Sequence, residues 1–127
     1  MRLAVENAWW KSDWTPGRAR FAFWTRYKVL PRMSDGMLDP LAIPPIADTM
    51  PWAARQKVGP HGPQFHAPSL DLTMHFLDPT PREWLLVSSH VRRARAGYAT
   101  AEAEVWSEDG KLVAYATQTM MLRTSGR

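Results

Sequence analysis

The stretch at residues 38–56, LDPLAIPPIADTMPWAARQ, is the only part of this chain with the pattern of a buried helix. Pro44 and Pro45 would each disrupt a helix interior, because proline lacks an N–H and clashes with the preceding turn. We therefore expect the regular helix to begin at about one of these prolines and to run to around Ala54. A single helix cannot cover both faces of a sheet, so one sheet is expected to curl around it.

Asp48 interrupts the apolar positions of this predicted helix. A buried carboxylate without a partner is very costly, so a carboxylate in this position needs hydrogen-bond donors. Asp48 is therefore the first candidate for a functional side chain. The pattern alone also allows a turn or capping role, and it leaves both interpretations open.

Alternation of apolar and polar residues predicts strands, which span in order residues 3–7, 18–29, 69–77, 84–91, 98–106 and 111–123. Asp109-Gly110 signals a hairpin, because glycine supplies the positive φ that tight hairpins require. Short connections between successive strands indicate antiparallel pairing. The alanine-rich face of residues 99–105 would let the helix approach closely. The sequence thus predicts one α+β domain, residues 1–127, with a curved antiparallel sheet around one central helix.

Composition narrows the classes of function. The chain has no cysteine, which excludes disulfides, thiolate metal sites and thiol nucleophiles. No apolar run reaches the length of a membrane span, and the N-terminal residues lack a secretory signal pattern, so a cytoplasmic location without membrane contact is expected. The net charge of +4 favours an anionic ligand such as a nucleotide, a phosphorylated cofactor or nucleic acid.

The histidines do not suggest a metal centre, since His61, His66, His75 and His90 lack metal-ligand spacing. The aromatic residues fall on apolar strand faces and do not interleave with basic residues. Nucleic acid is therefore not the expected partner.

Several motifs occur together in the order and spacing of a known family. They are RFAFWTR, LAIPPIADTMPW, APSLDLTMHFLDPTPREWLLVSS, the glycine at Gly97 and EDGKLVAYATQTMMLR. Together they resemble the C-terminal hotdog domain of the acyl-CoA thioesterase II family and its thioesterase-like relatives. The combination of a helix aspartate, S-L-D and D-G-x-L-V-A-x-x-x-Q is specific, whereas no single piece is.

The resemblance implies a hotdog fold and a catalytic set of Asp48, Ser69 and Gln118. In the family these side chains hold and activate a water that attacks the thioester carbonyl, without an acyl-enzyme intermediate. Ser69 stands where the family often has threonine and keeps the hydroxyl. A carboxylate can act as general base, while a hydroxyl and an amide can orient the water. Asp71 is interpreted as structural, holding backbone N–H groups.

Arg92, Arg93 and Arg95 form the one dense basic cluster. Such a run is commonly solvated surface, but the resemblance makes it a candidate site for the phosphates of coenzyme A. Coenzyme A enters as part of the substrate, and no further cofactor is expected.

The resemblance implies an acyl-CoA thioesterase. Two alternatives stay open: a non-catalytic acyl-binding module, motivated by the two prolines ahead of Asp48, and a hotdog hydratase or dehydratase. Family members usually fuse two hotdogs in one chain, whereas this chain matches only the second. A homodimer or higher homo-oligomer is expected to rebuild the pair, and the start at Met1 favours a stand-alone hotdog over a fragment.

Overall fold

The computed structural model of the protein describes residues 2–5 and 10–124. The strands are β1 (Arg2–Val5), β2 (Arg20–Thr25), β3 (Phe65–His66), β4 (Thr73–Phe76), β5 (Leu85–Arg95), β6 (Tyr98–Ser107), β7 (Leu112–Met121) and β8 (Arg123–Thr124). A short 3-10 helix (Pro40–Ala42) leads into α1 (Ile43–Ala47), and α2 (Pro51–Val58) follows.

Six strands form one antiparallel sheet in the order β1-β2-β5-β6-β7-β4, while β3 and β8 pair separately. The helices pack on one face of this sheet, with α2 against β2 and β5 and α1 against β5 and β6. The predicted α+β architecture, an antiparallel sheet with a central helical layer, is confirmed.

Tight hairpins join the three longest strands. Arg95 pairs with Tyr98 in the β5–β6 hairpin, which leaves a two-residue loop of Ala96 and Gly97 with φ of 54° and 83°. Positive φ at both loop positions is the form that matches the twist of the flanking strands. At the β6–β7 turn Gly110 has φ of 84°, as the hairpin signal predicts.

Small side chains on β6 bring the helical layer close to the sheet. Ala99, Ala101 and Ala103 are fully or almost fully buried, and so are Ala47 and Met50 from the helical layer. Because alanine adds only a methyl group, backbones on the two sides can approach without leaving a void. The predicted alanine-rich face is therefore the surface on which the helical layer rests.

The helix is not continuous, and the predicted run to Ala54 is wrong. It begins at Ile43, close to the expected start, but α1 ends at Ala47 and α2 begins only at Pro51. Pro51 explains the break, because its ring would clash with the carbonyl of Ala47 in a continuous helix. Pro44 and Pro45 lie in the first turn of α1, where a missing N–H costs nothing.

The strand following the helical layer has a different neighbour from the one expected. Successive pairing predicts that β4 lies beside β5, whereas β4 pairs with β7 at the opposite edge of the sheet. The connection at residues 77–84 is thus a crossover and not a hairpin turn. Its path brings the residues ahead of β4 next to the end of β7.

Several strand limits also differ from the prediction. β2 ends at Thr25, and Val29, expected on its core face, is 86% exposed. β5 is longer than predicted and reaches Arg95. The first strand is present at residues 2–5, while residues 6 and 7 of its predicted range lie outside the described part of the chain.

Candidate active site

Asp48 lies at the break between the two helices. It is the C-cap residue of α1, with φ of −79° and ψ of 50°, and its N–H donates to the carbonyl of Pro44. The sequence pattern placed this carboxylate in a buried helix, but the structure leaves it exposed. The break between the helices at this residue leaves the carboxylate exposed instead of buried in the core.

Gln118 approaches Asp48 from the core face of β7. It is 1% exposed and lies between the buried Ala116 and Met120. Its Nε2 donates to Asp48 Oδ1 across 2.6 Å and to Ser69 Oγ across 2.7 Å. The reverse amide orientation would place an oxygen against a carboxylate oxygen, so Asp48 fixes which end of the amide faces the site. Gln118 Oε1 is buried and lacks a hydrogen-bond partner among the described residues.

Ser69 is held beside Gln118 because the segment at residues 68–71 runs along β7. The N–H of Met121 donates to the carbonyl of Pro68 at 3.0 Å, and the N–H of Leu70 donates to the carbonyl of Thr119 at 2.9 Å. Asp71 extends this ladder with its side chain, whose Oδ1 accepts from the N–H of Thr119 at 2.6 Å. Asp71 therefore holds a backbone N–H group, as predicted.

Asp48, Ser69 and Gln118 form a closed triangle of hydrogen bonds. Ser69 Oγ donates to Asp48 Oδ1 at 3.1 Å, so this one oxygen accepts from both partners. Ser69 Oγ also accepts from Gln118 and keeps one lone pair, since a hydroxyl has one hydrogen and two acceptor positions. Asp48 Oδ2 has no hydrogen-bond partner within the described residues, so it can receive a proton from a bound molecule.

The predicted arginine cluster is divided by the structure. Arg92 and Arg93 line a groove of about 810 Å³, whereas Arg95 lies at the hairpin end of β5 outside that lining. Arg92 is held by Glu102, whose Oε1 lies 2.7 Å from Nε and 2.5 Å from Nη2. We call this feature the basic groove.

Three further basic residues of the groove escaped the sequence analysis. Arg18, Arg20 and Lys57 line it together with Arg92 and Arg93. Arg18 precedes β2, Arg20 is its first residue and Lys57 lies near the end of α2, so the three are not close together in sequence. The sequence contains only a weak indication of this grouping, which is the arginine on the polar side of the predicted early strand. The sequence does not reveal which end of the helix this strand contacts.

The pKa values of His90 and Glu102, at the basic groove, are both lowered. Burial is the main cause that lowers the pKa of His90, and the nearby Arg92 and Arg20 lower it further. Glu102 has a lowered pKa chiefly because Tyr115 donates a hydrogen bond to it, at 2.6 Å, with Arg92 acting in the same direction. Glu102 is thereby kept as the charged partner of Arg92.

The part of the chain that the structure describes has neither a candidate membrane-spanning helix nor a group of metal ligands. No helix in residues 2–5 and 10–124 combines the length and apolar character that a membrane span requires. In the same part of the chain, no three histidine, aspartate or glutamate side chains are grouped in a way that could hold a metal ion.

Comparison with known proteins decides the family. The family model for the acyl-CoA thioesterase C-terminal domain matches residues 2–122. The chain belongs to this family. The resemblance drawn from the sequence motifs is thus confirmed, and three of those motifs contain Asp48, Ser69 and Gln118. No curated protein sequence gives a significant match to the chain.

Solved structures share the fold at low sequence identity. A thioesterase family protein from Silicibacter pomeroyi has a TM-score of 0.73 at 19% identity, covering 98% of this chain and 85% of that one. The protein smu.793 from Streptococcus mutans UA159, solved bound to acetyl-CoA, gives 0.70 at 16%, covering 89% and 88%. A hypothetical thioesterase from Streptococcus pneumoniae TIGR4, solved with coenzyme A, gives 0.71 at 11%, covering 89% and 85%. The predicted hotdog fold is confirmed.

Proposed function

We propose that this protein is an acyl-CoA thioesterase that hydrolyses its substrate to a free acid and coenzyme A. The observation that carries the proposal is the hydrogen-bonded triangle of Asp48, Ser69 and Gln118, which leaves Asp48 Oδ2 open at the surface. Membership of the acyl-CoA thioesterase C-terminal domain family supports the same chemistry. The reaction consumes one water and needs no cofactor besides the coenzyme A of the substrate.

The triangle suggests how the water is oriented. A water in front of Asp48 can donate one hydrogen to Oδ2 and the other to the remaining lone pair of Ser69 Oγ. Its own lone pair then faces outward, toward a thioester carbonyl. As the C–O bond forms, Asp48 takes the proton, and it later returns that proton to the departing thiolate. Gln118 neither gains nor loses a proton and acts as a positioning residue.

The two alternatives lack comparable support. The non-catalytic module rested on Pro44 and Pro45 displacing the carboxylate, but they lie in the first turn of α1 and Asp48 keeps its hydrogen bonds. A hydratase of this fold would pair its aspartate with a histidine. The side-chain partners of Asp48 in the described chain are a hydroxyl and an amide.

The test is a panel of short, medium, long and aromatic acyl-CoA substrates, assayed for release of free thiol. Calorimetric titration with coenzyme A and an assay for water addition to an enoyl-CoA accompany it. Thiol release with at least one substrate supports the proposal. Binding without turnover would instead establish a binding module, and water addition to the enoyl-CoA would establish a hydratase.

We also propose a homodimer in which β4 pairs with a second copy, in a cytoplasmic protein. β4 is an edge strand, and edge strands carry unpaired backbone groups that invite pairing. Exposed apolar side chains surround it, since Leu70, Phe76 and Leu77 are each at least half exposed. A second copy placed there would cover these side chains and shield Asp48 and Ser69 from bulk water. The absence of cysteine suits a reducing compartment.

Light scattering coupled to size-exclusion chromatography measures the molar mass of the protein in solution and so tests the dimer. The double variant Leu70→Glu, Phe76→Glu is expected to be monomeric and to lose most hydrolysis. The control is Leu41→Glu, which places the same charge at an apolar side chain that is 78% exposed elsewhere. A wild-type monomer with full activity would contradict this part of the proposal.

A further inference from the structure

The basic groove gathers positive charge that is dispersed along the sequence. Arg18, Arg20, Lys57, Arg92 and Arg93 all line it, and its described lining contains no aspartate or glutamate. Glu102 pairs with Arg92, and the other four positive charges together equal the net charge of +4 for the whole chain. The field of the molecule is therefore concentrated at this surface, where it attracts a multiply charged anion.

The lining of the groove also includes apolar side chains. Val58, Val91 and Leu122 contribute to it, together with Phe65 from the small β3–β8 ribbon. A ligand that fits this lining carries several negative charges and also has an apolar or aromatic part. A nucleotide with several phosphates has both properties, whereas an isolated inorganic anion would use only the basic side chains.

Two independent chain paths connect the groove with the triangle. On the helical side, the lining residues Ala54, Lys57 and Val58 lie about 5–11 Å beyond the first residue of α2, at ~1.5 Å per residue. On the sheet side, Leu122 follows Gln118 by four residues, or about 13 Å at ~3.3 Å per residue. Both paths run from the triangle toward the same groove.

The pantetheine arm of coenzyme A is long enough to span either of these paths. About thirteen bonds join its sulfur to the first phosphorus, which is the length of roughly four extended residues, or about 15 Å. A thioester carbonyl placed at Asp48 would therefore bring the diphosphate to the basic groove.

The guanidinium of Arg92 is preorganised for binding such a ligand. Glu102 holds its Nε and Nη2, and Tyr115 in turn holds Glu102 through Oε2. The guanidinium is thus fixed in place while Nη1 stays free of hydrogen bonds to the described residues. A preorganised hydrogen-bond donor loses little conformational entropy when a ligand binds. The guanidinium group also matches the geometry of phosphate oxygens.

We propose that the basic groove binds the phosphates and adenosine of coenzyme A, through Arg18, Arg20 and Lys57 acting with Arg92 and Arg93. The inference rests on the proposed acyl-CoA substrate and adds the residues that select it. It divides the sequence-predicted cluster, since Arg95 lies outside the groove. A substrate with the same acyl thioester but no nucleotide would react at the triangle without using the groove.

The test compares an acyl-CoA with the same acyl group on N-acetylcysteamine, a thiol that lacks all phosphates. The triple variant Arg20→Gln, Lys57→Gln, Arg93→Gln removes three charges and leaves the Arg92–Glu102 pair intact. We expect its KM for acyl-CoA to rise at least tenfold with kcat nearly unchanged, and its KM for the N-acetylcysteamine thioester to stay the same. The control Lys11→Gln, Lys28→Gln, Lys111→Gln removes the same charge from exposed residues outside the groove and should match the wild type.

Equal KM values for the variant and the wild type with acyl-CoA would overturn the inference while leaving the thioesterase proposal in place. Calorimetric titration with adenosine 3′,5′-bisphosphate tests the groove without any turnover. Binding that weakens at least tenfold in the triple variant, and not in the control, supports the groove even if no substrate is hydrolysed. Absence of binding by the wild type, or binding unchanged in the triple variant, would overturn it.

Discussion

Gln118 Nε2 donates to Asp48 Oδ1 across 2.6 Å and joins the last long strand to the helix break 70 residues earlier. The bond depends on two backbone features. The break at Asp48 turns the carboxylate toward the sheet edge, and the register of β7 places Gln118 on its buried face. The candidate site is therefore a product of the fold as a whole and not of any local motif.

Substitution Gln118→Leu tests the positioning role of this amide. Leucine has a similar size and suits a buried position, so the protein should remain folded. Asp48 would lose a charge-assisted hydrogen bond, which contributes about 1.5–3 kcal/mol. We expect kcat to fall about tenfold to a hundredfold with little change in KM. Thr117→Val, on the opposite face of the same strand, is the control, and an equal loss there would contradict a specific role for Gln118.

Asp71 should act on the reaction only through the position of Ser69. Asp71→Ala removes the acceptor for the N–H of Thr119 and loosens the segment along β7. We expect a loss of kcat smaller than that of Gln118→Leu. Asp71→Asn keeps an oxygen in the same place and should restore most of the activity. If Asn and Ala variants were equally impaired, the charge of Asp71 rather than its acceptor oxygen would be required.

His90 should make the protein less stable in mild acid. Its folded-state pKa lies below the ordinary value of 6.5, mainly through burial and also through Arg92, Arg20 and Arg18, while Glu102 opposes them. As the pH falls below about 6.5, the unfolded chain binds a proton that the folded chain resists, so the free energy of unfolding decreases. Urea titrations between pH 7.5 and 5 should show this decrease in the wild type and a smaller one in His90→Gln. An equal decrease in the free energy of unfolding for the wild type and His90→Gln would contradict this role of His90.

The turn of the β5–β6 hairpin holds Ala96 in an unfavourable backbone conformation, which substitution by glycine would relieve. Ala96 has φ of 54°, a left-handed conformation that costs a residue with a Cβ about 1 kcal/mol. Ala96→Gly should therefore raise the free energy of unfolding by about 0.5–1 kcal/mol. Ala94→Gly, two residues earlier in β5, is the matched control and should lower it, because glycine weakens a strand. Chemical denaturation of both variants measures the difference, and a loss of stability in Ala96→Gly would exclude this account of the turn.

Local patterns explain why most of the fold was predictable. The alternation in β6 and β7 and the turn at Gly110 depend on residues that are close in sequence, so each pattern predicts its own element. The pairing of β4 is different, because a strand can join either edge of a sheet and its own residues do not decide which. That choice depends on the crossover at residues 77–84, which the sequence pattern did not distinguish from a turn.

The residues of the site were predictable only in part. The helix pattern indicates Asp48, the family resemblance adds Ser69 and Gln118, and the structure brings the three side chains into contact. The sequence pattern did not predict the exposure of Asp48, because it treated the helix as continuous. The ring of Pro51 would clash with the carbonyl of Ala47 in such a helix, so the helix breaks at Asp48. The basic groove was missed because Arg18, Arg20 and Lys57 come together only when β2 and α2 pack, and this packing is not visible as a run of charge.

The most direct test of the account is thiol release from the best acyl-CoA substrate by Asp48→Asn. Asparagine keeps the shape of the site but cannot take a proton from water, so kcat should fall by about 10²- to 10⁴-fold while coenzyme A still binds. Asp39→Asn is the matched control, because Asp39 only caps the 3-10 helix by accepting from Leu41 N–H and asparagine can do the same. Hydrolysis by Asp48→Asn at the wild-type rate would contradict the central claim.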